Sequence, residues 1–172
     1  MNLKKYSNSL LILFFSLSII IGFFIVREKS YSGDDKGIDF VFNDLNDKPL
    51  RLSNFRGKVV LVDIWATWCG PCRMEIPGFI NLYKKYKNKG FEIIGISVDK
   101  GGKNDVIPFA KEYKINYPLV IGDSREIMKV FGSIIGIPTT FLIDRDGVIK
   151  NKYIGAQPES TFEKDIKKLL EK

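Results

Sequence analysis

Lys58–Trp65 reads K-V-V-L-V-D-I-W, and it constrains the chain more than any other stretch. A nearly continuous β-branched and apolar run of this length is what a strand buried on both faces requires. Gly70–Tyr86 then places Met74, Ile76, Phe79, Ile80, Leu82, Tyr83 and Tyr86 at helical spacing. Phe91–Val98 is a second buried run. Strand, helix and strand in that order make a βαβ unit with parallel strands and a right-handed crossover. Both faces of such a sheet must be covered, so the expected class is α/β.

The flanking segments complete one domain. Asp39–Leu45 alternates apolar and polar residues; the turn cluster Asn46-Asp47-Lys48-Pro49 and then Leu50–Leu52 follow, which predicts an N-terminal β-hairpin. After a Gly-Gly turn, a helix near Asp105–Tyr113 and a short strand at Tyr117–Ile121 read as an α-β insertion. A further helix is expected from Ser124 to Phe131. Thr139–Asp144 and Val148–Ile154 flank Arg145-Asp146-Gly147, whose Asp-Gly pair suits a tight hairpin. From Pro158 onward, Phe162, Ile166, Leu169 and Leu170 keep helical spacing. Residues 38–172 are thus expected to form a three-layer α/β/α domain.

The first residues obey a different solvent. From Tyr6 to Val26 there is no charge, and Leu10–Val26 is nearly all Leu, Ile, Phe and Val. At about 1.5 Å per residue, roughly 21 helical residues cross a 30 Å hydrocarbon core. The apolar run meets Arg27-Glu28-Lys29 directly, with only Ser30-Tyr31-Ser32 as a poor cleavage site. Residues 1–29 therefore read as an uncleaved transmembrane anchor and residues 30–37 as a short tether. Lys4 and Lys5 favour a cytoplasmic N-terminus, with the domain outside the cytoplasm and the protein single-pass in the cell membrane. Part of the net charge of +7 is this topology signal. Lys84, Lys85, Lys87 and Lys89 form the densest remaining run, with no aromatic platform beside it. Cations at a helix C-terminus explain that run, so nucleic-acid binding is not expected.

The chain has no histidine and two cysteines. That removes Ser-His-Asp and Cys-His nucleophiles, His-bearing zinc sites and CxxCH haem attachment. Two sulfurs are also too few for a zinc or iron–sulfur site, so no metal is expected. Nucleophilic or redox chemistry must run through Cys69 and Cys72. In Cys69-Gly70-Pro71-Cys72 the pair stands after a buried strand and at the start of a helix. The helix N-terminus stabilises a thiolate, and Pro71 in the first turn has no N–H to leave unpaired. Cys69, beside Trp68, is expected to be the exposed attacking thiol, and Cys72, one turn in, the covered resolving thiol. A purely structural disulfide is the alternative. So short a loop stabilises by only about 2 kcal/mol, against about 4–5 for a long one, which makes the pair a poor staple. Asp63 interrupts the buried strand; an ionised carboxylate there needs a partner or a proton, unless it turns to solvent near the sheet end. Glu75 lies early in the helix, where an acid also complements the dipole.

W-A-T-W-C-G-P-C-R-M-E-I-P (Trp65–Pro77) together with G-I-P-T-T-F-L-I-D (Gly136–Asp144) resembles the thioredoxin superfamily, and within it the membrane-anchored, extracytoplasmic TlpA/ResA-like thiol–disulfide oxidoreductases. The resemblance covers about residues 38–172. It implies a thioredoxin-like fold and a redox-active Cys69–Cys72 disulfide. It implies that Asp63 is the buried acid assisting proton transfer at the resolving cysteine, an acid that many ResA-like members lack. Glu75 matches the acid lining a cavity near their active site. Pro138 matches the cis-proline facing the disulfide, and Pro77 the proline that kinks the active-site helix. Trp68, Gly70, Pro71, Ile137 and Pro138 are then expected to bind substrate, with Ile137 offering its backbone to an extended segment.

Gly70-Pro71 between the cysteines resembles reducing thioredoxins, near about −270 mV, rather than oxidants near about −120 mV. The expected activity is reduction of disulfides in exported proteins, apocytochrome c being the example the resemblance supplies. Re-reduction then requires a transmembrane electron-donor protein, no dissociable cofactor is needed, and a monomer is expected. A thioredoxin-fold peroxidase is the nearest rival. Its P-x-x-x-T-x-x-C pattern would put Pro and Thr where this chain has Val62 and Ala66. A disulfide oxidant or isomerase is the other alternative. A copper-delivery protein would want Cys-x-x-x-Cys and a histidine, and this chain has neither.

Overall fold

A computed structural model describes residues 37–172. The expected anchor at 1–29, and the tether apart from Gly37, lie outside the described residues. Two short strands, β1 (Val41–Asn43) and β2 (Pro49–Arg51), form the N-terminal hairpin. β3 (Val59–Trp65), α1 (Gly70–Tyr86) and β4 (Phe91–Ser97) are the βαβ unit. α2 (Lys103–Tyr113), β5 (Leu119–Ile121), α3 (Ser124–Phe131), β6 (Thr139–Ile143), β7 (Ile149–Ile154) and α4 (Glu159–Leu170) follow. Among the described residues no helix is long and apolar enough to cross a membrane.

Five strands make one sheet in the order β5-β4-β3-β6-β7. β3 is central, parallel to β4 and antiparallel to β6. Because successive side chains point to opposite faces, its apolar run feeds two cores. Val59, Leu61 and Trp65 join Ile76 and Phe79 of α1, Val106 of α2 and Phe162 of α4. Val60, Val62 and Ile64 join Phe42 of the hairpin and Ile127 and Phe131 of α3. The result is the expected three layers, with α1 and α4 locked together by Phe79 and Phe162, whose rings lie 5.1 Å apart edge to face.

The differences from the sequence reading are at element ends. Leu52 opens a 3-10 turn (Leu52–Phe55) instead of ending β2. The edge strand starts at Leu119, not Tyr117: Pro118 has no N–H, although its carbonyl accepts from Gly95 N–H at 2.9 Å. α2 begins at Lys103, two residues before Asp105. Asp105 instead accepts the Gly101 N–H at 3.0 Å, closing the preceding turn from inside the helix. α1 runs on through Pro77.

Candidate active site

The loop from β3 to α1 is a tight turn in which Cys69 N–H donates to the Ala66 carbonyl at 3.1 Å. Cys69 is the N-cap of α1, and its Sγ accepts the Cys72 N–H at 3.2 Å. The sulfur thus occupies the place a Ser or Asp oxygen takes at other helix starts, where backbone donors and the helix dipole favour negative charge. Cys69 and Cys72 are joined as a disulfide, their Cα atoms 5.3 Å apart. Neither cysteine is exposed: Cys69 is 5% and Cys72 1% accessible. The expectation of an exposed Cys69 is therefore corrected. The exposed member of the motif is Trp68, at 68%. Gly70 and Pro71 lie exposed in the first turn, and a Cβ at Gly70 would meet nothing.

Across from the disulfide, the Ile137 carbonyl oxygen lies 3.7 Å from Cys69 Sγ. In the disulfide this is a contact only; a reduced Cys69 has an S–H to donate along it. The Ile137–Pro138 bond is cis, as the resemblance implied, with Pro138 buried and Ile137 half-buried. A groove of about 270 Å³ continues from Trp68 and Ile137 between Val98, Met128 and Ile135. Met128 and Ile135 are 50% and 78% exposed. The sequence reading did not single them out; the available signal was a large apolar residue on the polar face of α3 and an Ile-Ile pair in the following loop.

Asp63 is buried in β3, opposite Gly95 and Thr140. Alternation puts it on the face of Leu61 and Trp65, which α1 covers, so the solvent-facing alternative does not hold. Thr140 Oγ1 donates to its Oδ1 at 3.2 Å. Burial, reinforced by the charge of Glu75, pushes its carboxyl well above the ordinary value, and the Thr140 bond opposes this only in part. Glu75 is also buried, in the second turn of α1, beyond where the helix dipole acts strongly. Its Oε1 accepts the Gln157 N–H at 2.7 Å, and Oε2 has no partner. It borders a cavity of about 200 Å³ with Gly78, Phe79, Pro158 and Phe162. Burial pushes its carboxyl up to about 7, against the Gln157 bond. Tyr117, which sequence reasoning missed, shares this environment: burial first, then Asp63 and Glu75, push its hydroxyl well above the ordinary value. Among the described residues no three His, Cys, Asp or Glu side chains converge where a metal ion would sit.

The chain matches the AhpC/TSA family over residues 34–152. It belongs to the AhpC/TSA family. Within that family it is similar to the thiol-disulfide oxidoreductase ResA of Bacillus thuringiensis subsp. konkukian, 39% identical over 151 residues, covering 86% of this chain and 84% of that protein. ResA of Bacillus subtilis is 36% identical over 137 residues, covering 80% and 75%. Among solved structures, a thiol:disulfide interchange protein of the thioredoxin family from Chlorobium tepidum superposes with a TM-score of 0.71 at 30% identity, covering 78% of this chain and 95% of that one. StoA from Bacillus subtilis superposes at 0.63 with 25% identity, covering 73% and 94%. This AhpC/TSA member has the thioredoxin-like α/β fold and is a thiol–disulfide oxidoreductase of the ResA type.

Proposed function

We propose that this protein reduces disulfides in proteins outside the cytoplasm, with Cys69 attacking and Cys72 resolving. One observation carries the reading: Cys69 Sγ caps the start of α1, 3.2 Å from the Cys72 nitrogen, next in the chain to the exposed Trp68. A sulfur held there is favoured as thiolate, the form that attacks disulfides.

In the dithiol form, the Cys69 thiolate attacks one sulfur of a substrate disulfide, forming a mixed disulfide and releasing the other substrate sulfur as thiolate. Cys72 then gives up its proton and attacks Cys69 Sγ. The second substrate thiol leaves and the Cys69–Cys72 bond closes. Two electrons have passed to the substrate; the Cys72 proton is passed on to one substrate sulfur, and the other takes its proton from solvent. Asp63 and Glu75 are the carboxyls through which the Cys72 proton passes: burial pushes both up, and Glu75, at about 7, is part ionised near neutral pH and free to accept it. Because they interact, they titrate as a pair. An extended substrate segment lies along Ile137, Pro138 and the groove towards Met128, with Trp68, Gly70 and Pro71 on the other side. The cycle restarts when a transmembrane donor protein returns two electrons. Residues 1–29 anchor the chain in the cell membrane with its N-terminus in the cytoplasm, and oxidised apocytochrome c is one substrate of the right class.

The test is a Cys72→Ser variant in cells, which stalls the reaction at the mixed disulfide. Exported thiol proteins bound to Cys69 are the expected catch. No adducts, together with rapid peroxide consumption by the unaltered protein, would replace this reading with the peroxidase one.

A further inference from the structure

Asp99 lies just past the end of β4, is 6% accessible, and pairs with no cation among the described residues. Its carboxylate is spent on the loop that carries the disulfide. Thr67 N–H donates to both oxygens, at 3.0 and 3.2 Å, and Thr67 Oγ1 donates to Oδ1 at 2.6 Å. Ser97 Oγ donates to Oδ2 at 2.8 Å and accepts the Asp99 N–H at 3.1 Å. Thr67 is the second residue of the Ala66–Cys69 turn. No backbone acceptor takes its N–H, and a half-buried donor left without one destabilises the turn.

We propose that Asp99 is a positioning residue: through Thr67 it holds the Ala66–Cys69 turn, and with it Cys69 Sγ, at the start of α1. This deepens the reading of Cys69 as attacking thiol and rests on it. In the disulfide, the bond to Cys72 keeps the Cys69 sulfur in place. Reduction removes that bond, and the turn alone must then keep the thiolate beside the Cys72 N–H. Bonds to a carboxylate are stronger than neutral ones, and β4 is a rigid base with both neighbouring strands paired to it.

The anchor is separable from the carboxylate's charge. The negative charge of Asp99 opposes a nearby thiolate, so its removal alone lowers the pH at which Cys69 ionises; loosening the turn raises it. Arg73, Asp105, Glu112 and Tyr113 across Trp68, and the buried Asp63 and Glu75, are kept in all three variants. The experiment follows iodoacetamide labelling of Cys69 against pH in the reduced full-length protein, located by mass spectrometry, for Thr67→Val, Thr67→Ser and Asp99→Ala. Thr67→Val is expected to move the midpoint up by about half a pH unit or more, as loss of one such bond implies. Asp99→Ala is expected to move it up further, and Thr67→Ser, which keeps the hydroxyl, to match the unaltered chain. An unchanged midpoint in Thr67→Val, in protein with an unchanged thermal transition, overturns the proposal. So does a fall in Asp99→Ala, which would leave only an effect of charge through space. If Asp99→Ala fails to fold, Thr67→Val decides alone. The comparison needs no substrate, so the trapping experiment can fail without deciding this one.

Discussion

At the scale of the residue, two buried carboxyls set how this protein responds to pH. The chain has no histidine, so few other side chains titrate between about pH 5 and 8. Glu75 is pushed from 4.5 up to about 7 by burial, and Asp63 also upward from 3.8. As pH rises through about 4.5, the unfolded chain loses the Glu75 proton while the folded chain keeps it. Stability therefore falls from there until about pH 7, by about 3 kcal/mol for Glu75, and then levels. Asp63 adds a decline of the same sign that begins near pH 4. Urea midpoints of the oxidised protein should fall between pH 5 and 8, less steeply in Glu75→Gln and scarcely at all in Glu75→Gln with Asp63→Asn. A flat or rising profile for the unaltered protein contradicts this assignment. The sequence showed that Asp63 was out of place in an apolar strand, because a charge there breaks a local rule. It left open which way Glu75 faced, because a helical acid is ordinary; only α4 and the Gln157 backbone, far along the chain, make that position interior.

At the scale of the element, legibility followed periodicity. β3, α1 and β4 were read within a residue or two because their apolar patterns repeat over several turns or strand periods. α2 and β5 were less legible: a glycine turn, Pro108 and Pro118 break their patterns, and Asp105 caps its turn from inside the helix. The Thr67–Asp99 anchor was not legible at all. Ser97 ends a strand and Asp99 follows it as unremarkable polar residues, and only the parallel pairing of β4 with β3 brings Asp99 to the loop after β3. The same logic shows what holds the active-site helix down. α4 covers α1 through Phe162, whose ring meets Phe79 at 5.1 Å and Tyr153 at 4.9 Å and is fully buried. Phe162 also borders the Glu75 cavity. Phe162→Ala should lower the unfolding free energy by about 3–5 kcal/mol, the range for emptying a buried aromatic site, measured by urea denaturation of the oxidised protein. A loss under about 1 kcal/mol would mean the two helices repack without it.

At the scale of the whole molecule, the N-terminal hairpin decides how the second core is closed. The hairpin was legible as a hairpin, but the face it covers was not, since Phe40 meets Phe131 only after most of the domain has been threaded between them. In the structure Phe40 and Phe42 are buried, with rings 5.2 Å apart, and Phe40 packs on Phe131 at 5.7 Å. Asp44 bridges to Val120 and so covers the edge left open at β5, which a bare parallel strand would expose to pairing with other chains. Ile38 is tied in as well: its N–H donates to the Gly147 carbonyl at 2.9 Å and its carbonyl accepts from Arg56 at 2.9 Å. Gly37 fits there because a Cβ would come within 2.5 Å of the Asp146 carbonyl. The hairpin is therefore part of the second core, not an appendage. A chain of residues 37–172 should fold cooperatively and keep its dithiol chemistry. A chain of residues 44–172 loses Ile38, Phe40 and Phe42, and two buried phenylalanines alone are worth about 3–6 kcal/mol. Its urea midpoint should drop accordingly, and exposure of the α3 face should make it bind a hydrophobic dye that the longer chain does not. Equal midpoints for the two chains would mean that α3 closes this core unaided.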